Sequence, residues 1–130
     1  MATLLMAAVL WSTPTEGESI DGLATYYAPR LMQTVADNRG MDLTHYAGGV
    51  ALNRAGDLGR TVWLEYGSAV HGPMLVVDCA HRGVHFEDRE TKGLVLEVDY
   101  RLAREWGMVG VGPVPVKVHF ELPEMERVAW

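Results

Sequence analysis

The stretch from Met74 to Arg89, MLVVDCAHRGVHFEDR, crowds acids, histidines and the cysteine of this chain behind an apolar run. An apolar run ends in Asp78 and Cys79, and His81, Arg82, His85, Glu87, Asp88 and Arg89 follow. A carboxyl at the end of a buried strand is expected at the mouth of a sheet or barrel, partly desolvated. Desolvation raises a carboxyl pKa and suits it to general acid/base work. Asp78 is therefore the leading catalytic candidate. The competing reading is a structural acid that accepts backbone N–H groups at a turn.

Other groups in the same stretch carry weaker signals. Cys79, His81 and His85 have the types zinc accepts, with Asp78 and Asp88 near them in sequence. Arg82 and Gly83 interrupt the spacer, paired ligand spacing is lacking, and no metal is expected. Cys79 follows a buried strand and reads as an inert thiol. Tyr26 and Tyr27 alternate, so one ring faces in and the other out, where a sugar face could stack on it; the competing reading is that both are barrel packing. Thr25 is placed to hydrogen-bond Asp78. Trp63, between Val62 and Leu64, reads as core. Arg54 and Arg60 read as solubilising turn and strand-edge residues, and His45, His71 and His119 as solvated side chains. No phosphate-loop lysine accompanies the glycines of NRAGDLGR, so no nucleotide cofactor is expected.

These residues need elements to position them. IDGLATYYA (20–28), GGVALN (48–53), RTVWLEY (60–66), PMLVVDC (73–79), LVLEV (94–98) and VPVKVHF (114–120) read as strands, rich in β-branched and aromatic residues. PMLVVDC is nearly continuously apolar, hence buried on both faces. Pro29 to Gly40 predicts a short helix, and Asp99 caps a second that ends at Gly107. Pro113 and Pro115 place the last strand's start at an edge or bulge. Six short strands and one or two short helices predict a mainly β fold, a small closed or half-closed barrel, in one domain over residues 20–121. A tail follows over 122–130.

The chain has 130 residues and a net charge of -6, with 11 basic residues against 17 acidic. No Lys/Arg cluster exists, so nucleic acid is not an expected partner. One cysteine excludes an intrachain disulfide. Residues 1–19 read as a signal-like leader and connector. The apolar run MATLLMAAVLW spans about 16 Å as a helix, short of the ~30 Å of a bilayer core, so no stable transmembrane span is expected.

Four local patterns in order, GLATYYA, GGVALNRAGDLGRTVWLE, VVDCAHRG and LVLEVDYRLAREWGMVGVGPVPVKV, resemble the double-psi β-barrel of the rare lipoprotein A and expansin group. The resemblance runs from Gly22 to Val118. It implies a six-stranded double-psi β-barrel that is secreted, periplasmic or otherwise in the cell envelope. The implied partner is peptidoglycan or another polysaccharide, engaged by a monomer. It also implies lytic transglycosylase activity with Asp78 as general acid/base, or a non-catalytic expansin-like binding module. A third reading is a structural or protein-interaction barrel without glycan chemistry. Asn53 stands where glycan-cutting members have a histidine, and His81 is the expected substitute that orients Asp78. Glu97 and Asp99 stand where the family has Asp then Ser. Thr25, Tyr27, Asn53 and Asp88 are the expected substrate-binding residues. Lytic scission needs one acid/base, whereas hydrolysis would need a second carboxylate, such as Glu87 or Asp88, across the bond.

Overall fold

The computed structural model describes residues 18–79 and 93–124. The leader, the loop with His81, His85 and Asp88, and residues 125–130 of the tail lie outside the described residues. Strands β1 (Ser19–Tyr26), β2 (Gly48–Leu52), β3 (Thr61–Tyr66), β4 (Ala69–Cys79), β5 (Leu94–Val98) and β6 (Val114–His119) are joined by helices α1 (Leu31–Asn38) and α2 (Tyr100–Glu105). The six strands close into a barrel in the order β1-β5-β2-β4-β3-β6. β1 with β5 and β2 with β4 are parallel, and the other neighbours are antiparallel.

Period-two alternation builds the interior. Ala24, Val50, Leu52, Val62, Leu64, Val76, Leu96, Val98, Val116 and Val118 form the core inside the wall. α1 covers the outside of β4, packing Met32 and Ala36 on Leu75 and Val77. The apolar run of β4 thus has a dry neighbour on each face, as its composition predicts. α2 starts at Asp99, whose Oδ1 accepts the Leu102 N–H at 2.8 Å. It lays Leu102, Ala103 and Trp106 against the core.

Some expectations shift. β4 begins at Ala69 rather than Pro73, because a two-residue turn at Gly67 and Ser68 already reverses the chain. Trp63 is outward and half-buried, since its neighbours Val62 and Leu64 take the interior positions. A closed barrel has no free edge strand, yet Pro115 is accommodated. It pairs with Leu23 of β1, and the pairing of β6 with β3 begins only at Lys117.

Candidate functional site

One row of four residues crosses four adjacent strands. Thr25 pairs with Glu97, Glu97 with Ala51, and Ala51 with Asp78. Val50, Leu52, Leu96 and Val98 point inward, so the alternating residues Ala51 and Glu97 face outward. β4 joins this face by an irregularity. Val50 pairs with Val76 but Ala51 pairs with Asp78, so β4 carries one extra residue, Val77. A bulge of this kind re-aims the next side chain. Val77 packs under α1 and Asp78 also turns to the outer wall, beside α1. Asp78 is the next-to-last residue of β4, so it lies at the strand end with its side chain on the outer wall. Asp78 and Glu97 flank Ala51, two strand spacings or about 10 Å apart at the backbone, with only a methyl group between them.

The two acids are held differently. Tyr27 Oη donates to Asp78 Oδ2 at 2.6 Å, Arg39 Nη2 to Oδ1 at 3.0 Å, and the Cys79 N–H to Oδ1 at 2.9 Å. The Asp78 side chain keeps 14% of its surface exposed. Thr25 Oγ1 donates to Glu97 Oε2 at 3.1 Å, and Glu97 is only 7% exposed. The expected Thr25–Asp78 bond is therefore replaced. Thr25 sits directly opposite Glu97 across the β1–β5 pair, and Tyr27, one side-chain alternation further on, reaches Asp78. Tyr27 is half-buried: it packs against the cluster of Met32, Ala36, Leu75 and Val77, and its hydroxyl donates to Asp78. Asn53 lies just past β2 and donates its Nδ2 to the Leu94 carbonyl at 3.4 Å, tying β2 to β5. His81 and Asp88 lie outside the described residues. Cys79 is buried, and among the described residues no group of three His, Cys, Asp or Glu side chains could hold a metal ion.

Glu97 and Arg39 belong to the site and were not expected there. Glu97 had a sequence signal: an acid interrupts the apolar run LVLEV at an outward position. Arg39 had none, because its partner lies 39 positions away.

A second charged cluster has a different character. Asp57, 3% exposed, accepts from Arg54 Nε at 2.7 Å and from Arg60 Nη1 at 3.0 Å. Glu18 reaches the same two arginines at 3.2 and 3.3 Å. Both guanidinium groups stand over the Phe120 ring, at 5.2 and 4.0 Å from its centroid. The Asp57 hydrogen bonds hold Arg54 above its ordinary pKa. These arginines are structural, not merely solubilising. Two histidines expected to be solvated are also engaged. His71 Nε2 accepts from Trp106 Nε1 at 3.1 Å, and His119 Nε2 lies 2.7 Å from Glu65 Oε1.

No family model and no curated protein matches this chain. Among the described residues no helix is long and apolar enough to cross a membrane.

Proposed function

We propose that this chain is a double-psi β-barrel of the rare lipoprotein A and expansin kind, exported to the cell envelope, and that it engages peptidoglycan or a similar polysaccharide. The site is the row Thr25–Glu97–Ala51–Asp78. One observation carries this reading: two carboxylates flank a single alanine on one outward face. Both are held by hydroxyls from the GLATYYA segment, Thr25 and Tyr27. Sugar hydroxyls are donors, and paired carboxylates fixed at a set spacing are acceptors that read their positions. The parallel pairing of β1 with β5 and of β2 with β4, joined through an antiparallel β5–β2 pair, supports the double-psi assignment.

Binding is the better-supported mode. Asp78 is paired with Arg39 and accepts from Tyr27, an arrangement for a carboxylate that accepts hydrogen bonds. Arg39 and the Cys79 N–H on Oδ1 and the Tyr27 hydroxyl on Oδ2 engage both carboxylate oxygens. A catalytic mode is favoured by Glu97, which supplies the second carboxylate expected of a hydrolytic pair from a place other than Glu87 or Asp88. With Asp78 alone as acid/base, lytic transglycosylation is the corresponding reaction.

Retention on insoluble cell wall and release of muropeptides separate the modes. Retention lost in Asp78→Asn and Glu97→Gln, with no release by the unaltered protein, establishes a binding module. Release that disappears in Asp78→Asn establishes catalysis. A folded protein that neither binds nor releases leaves a barrel used for structure or protein contact, and the polysaccharide reading is then wrong.

A further inference from the structure

A cleft of about 310 Å³ opens beside the row, with Arg30, Gln33, Tyr46, Tyr100 and Arg101 in its walls. Gly49 forms part of it, two residues before Ala51 on β2. Alternate strand residues share a face, so this part of the cleft is about 7 Å along the strand from the alanine between the two acids. α1 links the same two places. Arg30 precedes its first residue and Arg39 follows its last, about 13 Å apart at the helical rise. Arg39 is on Asp78, and Arg30 is at the cleft.

Arg30 is the unusual member. It is exposed, and among the described residues its guanidinium has no hydrogen-bond or ion-pair partner. Its backbone is left-handed, with φ 68°, a conformation that glycine or asparagine adopts at lower cost. Among the described residues no contact of its guanidinium repays an arginine there. Arg101 donates from Nη2 to the Ala47 carbonyl at 3.0 Å, and lies 3.8 Å from Glu105. It adds a second cation whose charge is partly shared. Asp99 also lines the cleft, but its Oδ1 is occupied in capping α2. The local balance therefore favours one anionic group rather than many, in a chain whose net charge of -6 repels polyanions.

We infer that this cleft binds a carboxylate of the ligand, with Arg30 as its ion-pair partner and Arg101 and Tyr46 beside it. The ligand is then an acidic glycan or glycopeptide rather than a neutral one. The inference rests on the polysaccharide reading for the polymer, not for the carboxylate.

Two experiments on the full chain test it. Succinate is titrated while the side-chain Nε–Hε resonances of Arg30 and Arg101 are followed by NMR. Both should shift in the unaltered protein. Calorimetry then compares a disaccharide–peptide muropeptide, a cellobiuronic acid with a single uronate and a neutral cello-oligosaccharide. At least one acidic probe should bind about tenfold more tightly than the neutral one, an advantage that Arg30→Gln removes and Arg30→Lys partly restores. Whichever acidic probe wins identifies a peptide or a sugar carboxylate as the source. Resonances unmoved by succinate, or acidic binding unchanged in Arg30→Gln, overturn the inference. If succinate moves the resonances and no glycan of any kind binds, the polysaccharide reading fails and the carboxylate site stands.

Discussion

Asp78 and Glu97 are paired with the same residue, Ala51, from opposite sides. They are thereby fixed by the barrel wall and not by a loop. Strand spacing, not side-chain reach, sets their separation, and the extra residue in β4 decides that Asp78 faces Glu97 at all. Ala51 itself is fully buried and Glu97 nearly so, so of the two acids Asp78 is the more open to solvent. Ala51→Leu would overpack this closed position and should push the two acids apart.

The hydroxyl of Tyr27 and the carboxylate of Asp78, 2.6 Å apart, should be energetically coupled. Tyr27→Phe removes one donor and leaves Arg39 and the Cys79 N–H on the acid. Urea denaturation of Tyr27→Phe, Asp78→Asn and the double variant should give a coupling of about 1–2 kcal/mol. Strict additivity would mean that the bond contributes nothing and that Tyr27 acts through its ring alone.

Asp57 should matter more for folding than the candidate site does. Its carboxylate is 3% exposed and faces two arginines. Asp57→Asn leaves both guanidinium groups against an amide that cannot balance them. We expect a loss of about 2–3 kcal/mol, below the full figure for a buried pair because both arginines retain solvent. Glu18→Gln, on the wet side of the cluster, should cost under about 1 kcal/mol. The hydrogen bonds to Asp57 raise the Arg54 pKa above its ordinary value, so its contribution is complete at neutral pH and is lost only on the far alkaline side. Stability between neutral and about pH 10 should therefore not fall through this cluster. The comparison is the midpoint of urea unfolding for Asp57→Asn and the unaltered protein across that range.

Much of this architecture was legible in residue patterns. LVLEV predicts both ends of β5 because it sits between Gly93 and Asp99, a turn residue and a helix cap. The two-sided burial of β4 followed from its unbroken apolar run. The site was legible only in part. Alternation along one strand says which residues share a face, but not which strand lies next to it. Alternation therefore leaves Thr25 open to Asp78, although β5 lies between β1 and β2 and brings Glu97 to Thr25 first. The bulge at Val77 leaves no mark in composition. Arg54, Arg60 and Asp57 lie within six residues of one another, but their joint burial depends on Phe120 and Glu18 from the two ends of the domain.

Gly72 is held by Trp63. A Cβ at Gly72 would meet Trp63 Cδ1 at 2.7 Å, and its φ of 152° already lies outside the range that side chains favour. Gly72→Ala should destabilise the fold by about 2–3 kcal/mol, through the displaced indole and the strained backbone together. Gly72→Ala in a Trp63→Ala background should cost less than in the unaltered protein, because only the backbone contribution remains. Equal costs in the two backgrounds, measured by urea unfolding, would remove the indole from the explanation.

Arg30 should trade stability against binding. Its left-handed backbone, φ 68° and ψ -8°, costs an arginine about 1 kcal/mol that glycine does not pay. The glycine variant also gains unfolded-state entropy, which offsets part of that relief. Arg30→Gly is therefore expected to leave stability unchanged or raise it by up to about 1 kcal/mol, while abolishing the preference for acidic over neutral probes. Arg30→Gln keeps the strain and loses the charge, so it should match the unaltered protein in urea midpoint and the glycine variant in binding. A purely structural arginine predicts the opposite pattern: a fall in midpoint for both variants and no change in ligand preference. The four quantities, two midpoints and two affinity ratios, distinguish these accounts without reference to any catalytic assay.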